Sequence, residues 1–317
     1  MQREQKLLLL KIVSLFSVIR GYNIPIIIIA QYLSAIFIMA PEQRALSILL
    51  DFNIFILVFA SAIAIASGYI INNFYDSQKD LINRPSKSML DRLVSQKTKL
   101  QVYFTLNFIV ALMAWFISWR ALLFFSFYIF LIWFYSHKLK KIVFIGNLSA
   151  ALLAVWPFFA ILLYYYQPTS IEELERHKDH FAVIIAHASF LFLLILIREL
   201  IKDLENLKGD LANNYHTIPV FYGESWSKRI STVLTILTLV PVYILIELYD
   251  VGYMDIYFYS SLIVLLFFLL LLWQSNNKTH YIRLHNILKF LIVAGVFCIV
   301  LINPSVLWHG KNWLLKQ

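Results

Sequence analysis

Nine times along this chain a run of about 16 to 25 apolar residues recurs with few charges inside it: 24–40, 52–73, 102–118, 121–136, 142–166, 181–201, 230–249, 257–274 and 286–308. Each run is close to the length an α-helix needs to cross the hydrocarbon of a bilayer. Composition agrees, since 61% of the residues are hydrophobic, 16% are aromatic and the mean hydropathy is +0.74, against about half apolar residues in soluble domains. The chain is therefore expected to be an all-α integral membrane protein, a single bundle of nine transmembrane helices.

Nine crossings put the termini on opposite sides, and the positive-inside rule tests that count. With the N-terminus cytoplasmic, the inner segments collect nineteen of the 27 Lys and Arg residues, from Arg3, Lys6, Lys11 and Arg20 through Lys278, Arg283 and Lys289. The outer segments hold Arg44, Arg120, Arg176, Lys178, Lys311 and Lys316. The net charge of +9 then reads as topology and attraction to anionic lipid, with no nucleic-acid partner. Residues 1–23 have a basic start and an apolar centre, but Lys11 interrupts them and no small-residue cleavage site follows, so they read as a retained interfacial helix. Cys298, the single cysteine, lies in the last apolar run, which excludes an intramolecular disulfide and a cysteine metal cluster. With no long linker and no convincing internal repeat, 1–317 reads as one domain, with 76–99 and 203–229 as inner polar loops.

Ionisable groups at the rim of a membrane bundle are costly unless they line a cavity or bind something. INNFYDSQKD, 71–80, places two amides and two carboxylates at the end of the second apolar run. If that helix continues to residue 80, Asn72, Asp76 and Asp80 fall at i, i+4 and i+8, about 40° apart per step, as one polar stripe; Asn73 points about 100° away. RELIKDLENLKGD, 198–210, ends the sixth run, and there Asp203 and Asp210 sit two turns apart with Glu199 and Asn206 on the same side. Both stripes are expected to open at one membrane face. Carboxylates at this density repel unless cations intervene, and oxygen ligands without His or Cys suit Mg²⁺.

Cations accompany both stripes: Lys79, Arg84, Lys87, Arg92 and Lys97 after the first, Lys138, Lys140 and Lys141 in YSHKLKK, and Arg198, Lys202 and Lys208 around the second. Acid and base at one face suggest a diphosphate held through Mg²⁺ and directly by Lys or Arg. His137 and His187 read as packed or interfacial residues, since neither has a second His at metal spacing.

These motifs resemble the UbiA superfamily of intramembrane prenyltransferases. NNFYDSQKD at 72–80 is similar to that family's first signature, with Asn73 in place of an Asp. DLENLKGD at 203–210, followed by TIPVFYG at 217–223, is similar to the second, with Asn206 where relatives often carry another Asp, and YSHKLKKIVFIGN at 135–147 resembles the segment between them. The loop SKSMLDRLVS, 86–95, lacks the usual Gly. The resemblance implies a prenyl diphosphate donor bound through Mg²⁺ between the two Asp-rich regions, with its tail in an apolar cavity. Carried over residue by residue, it implies Asn72, Asp76, Asp80, Asp203 and Asp210 as the metal and diphosphate site, with Asp76, Asp80, Asp203 and Asp210 catalytic; the stripes and the cations beside them add Asn72, Asn73, Lys79, Arg84, Lys87, Lys138, Arg198, Lys202 and Asn206 as expected substrate-binding residues.

The expected activity is Mg²⁺-dependent transfer of an isoprenyl group to a lipophilic acceptor. REL-KDLEN-KGD is most like the branch that prenylates a glycerophosphate-type lipid, whose phosphate the basic 84–99 segment would hold; an aromatic acceptor of quinone synthesis is the alternative. Two further readings are a non-catalytic polyprenyl phosphate binder and an ion-coupled transporter. The transporter calls for ionisable residues near the midplane, whereas here they crowd the inner helix ends. The expected location is a bacterial inner membrane, with the site open to the cytoplasm.

Overall fold

The computed structural model describes residues 2–165, 178–249 and 251–308; Arg176, Lys311, Lys316 and most of the polar segment 167–180 lie outside them. Helix α1 spans Gln2–Val18, α2 Ile24–Ser34, α3 Phe52–Asn83, α4 Pro85–Asp91, α5 Gln96–Ile117, α6 Trp119–His137, α7 Ile145–Tyr165, α8 Lys178–Ala212, α9 Glu224–Leu237, α10 Asp255–Gln274 and α11 Lys278–Cys298. No strand occurs among the described residues.

Eight helical stretches are long and apolar enough to cross a membrane by length and composition. The expected window 24–40 is filled by α2 and a π-helical turn, Ala35–Met39, shorter than the other eight. Local chemistry sets the helix starts. Asp51 caps α3 by accepting from Asn53 N and Ile54 N at 2.8 and 3.0 Å. Ser95, Ser118 and Asn277 do the same for α5, α6 and α11, each satisfying a donor that the first turn leaves open.

Helices α3 and α8 are the most enclosed, with 67% and 50% of their apolar windows buried inside the protein. Small residues let neighbours approach α3: a methyl on Gly68 would stand 3.0 Å from Ile132 of α6. Where α5 ends and α6 begins, Trp115, Phe116 and Trp119 are exposed instead, as expected of aromatic side chains at a membrane interface. Inside α7, Pro157 cannot donate to Leu153 O; the Tyr128 hydroxyl donates to that carbonyl at 3.1 Å, and Gln31 Nε2 donates to Pro157 O at 2.8 Å.

The polar segments expected as loops are largely helical. Helix α3 continues through Asp80 to Asn83, and α8 through Asp210 to Ala212. Their polar ends satisfy one another, so neither has to unwind to reach water.

Candidate active site

Because α3 and α8 both extend past their apolar runs, the two stripes meet. The two helices touch at Gly209, whose N–H donates to Asn83 Oδ1 at 3.1 Å. A β-carbon there would lie 2.3–2.5 Å from the Asn83 side chain, which is why the second stripe carries a glycine beside Asp210. Lys278 adds a bond from Nζ to Asn83 O at 2.7 Å.

Asn72, Asp76 and Asp80 of α3 face Asp203 and Asn206 of α8 across a cleft of 50 Å³. Asp76 Oδ1 accepts from Lys140 Nζ and from the Tyr215 hydroxyl, both at 2.7 Å. Lys140 Nζ also donates to Asn72 Oδ1 at 3.1 Å. The turn carrying Lys140 packs on the start of α7, where a β-carbon at Gly146 would meet the Lys140 backbone at 3.0–3.2 Å. Asp203 Oδ2 accepts from Asn147 Nδ2 at 2.7 Å. Asp210 is fully buried behind the cleft wall; its Oδ1 lies 2.6 Å from Lys79 Nζ, which in turn lies 4.2 Å from the Tyr215 ring centroid. Burial, and then the Asp76 carboxylate, push the Tyr215 phenol up, so it serves as a hydrogen-bond donor.

Not every expected residue reaches the cleft. Arg84 does, while its guanidinium holds Glu205 at 2.9 Å. Lys202 does, paired with Glu199. Asn73 turns away, donating to Asp91 Oδ2 at 3.0 Å and accepting from Lys99 at 2.8 Å. Lys87 joins the same buried knot, 2.6 Å from Asp91, and Ser17 of α1 donates to Asp91 Oδ1 at 2.7 Å. This knot docks α1 onto α4 and uses up two of the cations of the 84–99 segment. Lys138 is exposed and lines neither the cleft nor the cavity behind it. His137 stacks on Trp133, and His187 bonds through Nδ1 to Val183 O at 2.9 Å.

Beyond the cleft lies a cavity of 390 Å³. Arg20, Asn72, Tyr135, Glu199 and Lys202 line both spaces, so the charged cleft leads directly into the cavity. Its walls are mainly apolar side chains of α2, α7, α8, α10 and α11, among them Ile27, Phe158, Leu194, Phe258 and Val296.

The cleft's donor set suits a hard divalent cation: Asn72, Asp76, Asp80, Asp203 and Asn206 offer amide and carboxylate oxygens, and Asn206 Oδ1 is buried with no hydrogen-bond partner. Among the described residues no three His, Cys, Asp or Glu side chains stand close enough to hold a metal alone. Oxygens of an anionic ligand would have to complete the coordination, as is usual for Mg²⁺. Sequence reasoning gave Tyr215, Asn147 and Arg20 no role in the site and counted Lys140 only among the cations beside the stripes. Asn147 and Lys140 lie in the segment 135–147 and Tyr215 between 203–210 and 217–223, but only folding brings them to Asp76 and Asp203. Arg20 was counted for topology alone, although a cation directly ahead of the first apolar run was the available signal.

Comparison with known proteins places this architecture. Residues 28–291 match the UbiA prenyltransferase family. A digeranylgeranylglyceryl phosphate synthase of Thermococcus sibiricus is 29% identical over 188 residues, which are 59% of this chain and span 61% of that relative's length. The protein of the same name from Methanobrevibacter smithii is 26% identical over 244 residues, 75% of this chain and 80% of its own. A solved structure concerning digeranylgeranylglyceryl phosphate synthase in membranes superposes with a TM-score of 0.68 at 20% identity, covering 92% of this chain and 98% of the other. A UbiA homolog from Archaeoglobus fulgidus bound to GPP and Mg²⁺ gives 0.64 at 14% identity, over 90% and 99%. With the family match covering both acidic helix ends and the spans between them, this chain belongs to the UbiA prenyltransferase family.

Proposed function

We propose that this chain, a prenyltransferase by family, moves an isoprenyl group from a prenyl diphosphate to a hydroxyl of a glycerophosphate-type lipid. The observation that carries the reading is the passage from a charged cleft into a 390 Å³ apolar cavity, which matches a ligand with an anionic head and a hydrocarbon tail. The names of the archaeal relatives support the lipid acceptor, and the neighbour bound to GPP and Mg²⁺ supports the donor class.

In this reading Asn72, Asp76, Asp80 and Asp203 hold Mg²⁺ together with the donor diphosphate, while Asp210 acts from behind by fixing Lys79. Mg²⁺, when bound, would offset the charge that grows on the departing diphosphate. Lys79, Lys140 and Arg84 offer the same oxygens direct positive charge from fixed positions. The bond from the prenyl carbon to diphosphate oxygen breaks with its electron pair going to the diphosphate. The acceptor hydroxyl oxygen forms the new bond, and its proton leaves with the diphosphate. The apolar cavity walls keep water from taking the acceptor's place.

The proposal extends to placement. Residues 1–317 form one domain, Ile24–Met39 supplies a ninth crossing, residues 1–23 lie at the interface, and the N-terminus and the cleft face the cytoplasm across a cell membrane. Purified protein given radiolabelled geranylgeranyl diphosphate, a glycerophosphate ether lipid and Mg²⁺ should yield the doubly prenylated lipid, and EDTA should abolish it. Product with an aromatic acceptor and none with the lipid would refute the acceptor class.

A further inference from the structure

The cavity holds a second group of cations, distinct in charge balance from the cleft. The cleft carries five cations, Arg20, Lys79, Arg84, Lys140 and Lys202, against four carboxylates, Asp76, Asp80, Glu199 and Asp203. The cavity carries four, Arg20, Arg198, Lys202 and Lys289, against Glu199 alone, and Glu199 is already paired with Lys202. Arg20, Arg198 and Lys289 make no ion pair with any described carboxylate. A nearly neutral cleft needs added positive charge to take an anion, whereas this surplus does not.

Each of the three is held in place. Arg198 Nε donates to His285 Nε2 at 3.3 Å, and His285 Nδ1 faces Glu205 Oε2 at 3.3 Å, so the guanidinium keeps its terminal nitrogens for another acceptor. Lys289 of α11 lies 5.2 Å from the Tyr22 ring centroid, and Arg20 lies 5.0 Å from that of Tyr69. Arg20 also keeps a left-handed backbone, with φ at +49°, a conformation disfavoured for a residue bearing a β-carbon. Arg198 sits five residues deeper on α8 than Asp203, about 7.5 Å along the axis. The 84–99 segment does not supply this group, because Lys87 and Lys99 are tied to Asp91 and Asn73, Arg84 lines the cleft and pairs with Glu205, and none of these, nor Arg92 or Lys97, lines the cavity.

We propose that Arg198 and Lys289, with Arg20 at the passage shared with the cleft, form a metal-independent anion subsite in the cavity that takes the single phosphate of the lipid acceptor. This rests on the glycerophosphate reading above. A phosphomonoester carries a charge that two or three fixed Lys and Arg side chains can match by themselves. Its alkyl tail would share the apolar cavity, and His285 is a positioning residue that orients Arg198.

The test is binding, measured apart from turnover. Full-length protein in detergent with EDTA is titrated with radiolabelled dodecyl phosphate. Saturable binding is expected, weakened tenfold or more in Arg198→Gln and in Lys289→Gln, and less in His285→Gln. Asp76→Asn and Asp203→Asn should bind as the wild type does. Unchanged binding in both cation variants, or binding lost in EDTA or in the cleft variants instead, would overturn the subsite. Displacement by inorganic phosphate at equal concentration would overturn the lipid assignment in favour of free phosphate. If dodecyl phosphate binds as expected but no glycerophosphate lipid is prenylated, the subsite stands and the acceptor reading fails. Thermal unfolding of each variant identifies any that misfold, and Lys289, being partly exposed, supplies a variant with little folding cost.

Discussion

Asp76→Asn isolates the contribution of one carboxylate. Its Oδ1 accepts from Lys140 and Tyr215, both at 2.7 Å, and the Lys140 and Asp76 side chains are only 6% and 11% exposed. Removing one partner of a buried pair costs about 3–5 kcal/mol, because it strands the other charge. Here Asn72 Oδ1 still accepts from Lys140 at 3.1 Å, so the lower end, about 3 kcal/mol, is expected. Removing both partners of such a pair is close to neutral, and Asp76→Asn/Lys140→Met should therefore recover most of that loss in thermal unfolding. Activity should not follow stability. Both side chains line the cleft proposed to take the donor diphosphate, and about 3 kcal/mol of lost charge stabilisation corresponds to roughly a hundredfold in rate, so diphosphate release should fall at least that far in the single variant and stay there in the double. A double variant as unstable as the single one, or one that regains turnover, would refute this account of Asp76.

Gly209→Ala forces a β-carbon to within 2.3–2.5 Å of the Asn83 side chain, at a cost of about 1–3 kcal/mol; Gly209→Ala/Asn83→Ala should relieve most of it in thermal unfolding, and additive losses would contradict the contact. For Tyr215, burial and then the Asp76 carboxylate raise the phenol above its ordinary value of 10. Ionisation of the phenol therefore leaves the bond to Asp76 intact up to pH 10 and removes it only as pH rises beyond that. Tyr215→Phe should lower diphosphate release by several-fold, about 1 kcal/mol for one hydrogen bond, without moving the alkaline limb of the pH profile below pH 10; a shift of that limb would mean that the phenol titrates in the working range.

The apolar runs alone determined that this is a helical membrane protein, because runs of that length without charges have few other stable forms. The stripes were legible for the same reason: polar and ionisable residues are so costly at a helix end in a membrane that Asn72, Asp76 and Asp80 mark a shared face by their four-residue spacing alone. The tertiary structure decided which residues that face meets. Lys79, Lys87, Lys138 and Lys140 look alike along the chain, yet Lys79 and Lys140 reach acidic groups of the site, Lys87 joins the Asp91 knot and Lys138 points out. That sorting depends on backbone approaches at Gly209 and Gly146 and on the turn that brings Tyr215 over Asp76. The window 24–40 looked like its neighbours in sequence but closes after Met39 in a π-helical turn. Arg20 shows the limit most directly: in sequence it is one more cation at an inner face, and only the packing of α2, α3 and α8 turns it into a side chain lining both the cleft and the cavity. Hydrophobic length is a local property that a sequence displays, whereas the partners of a buried charge are set by helices far apart in the chain.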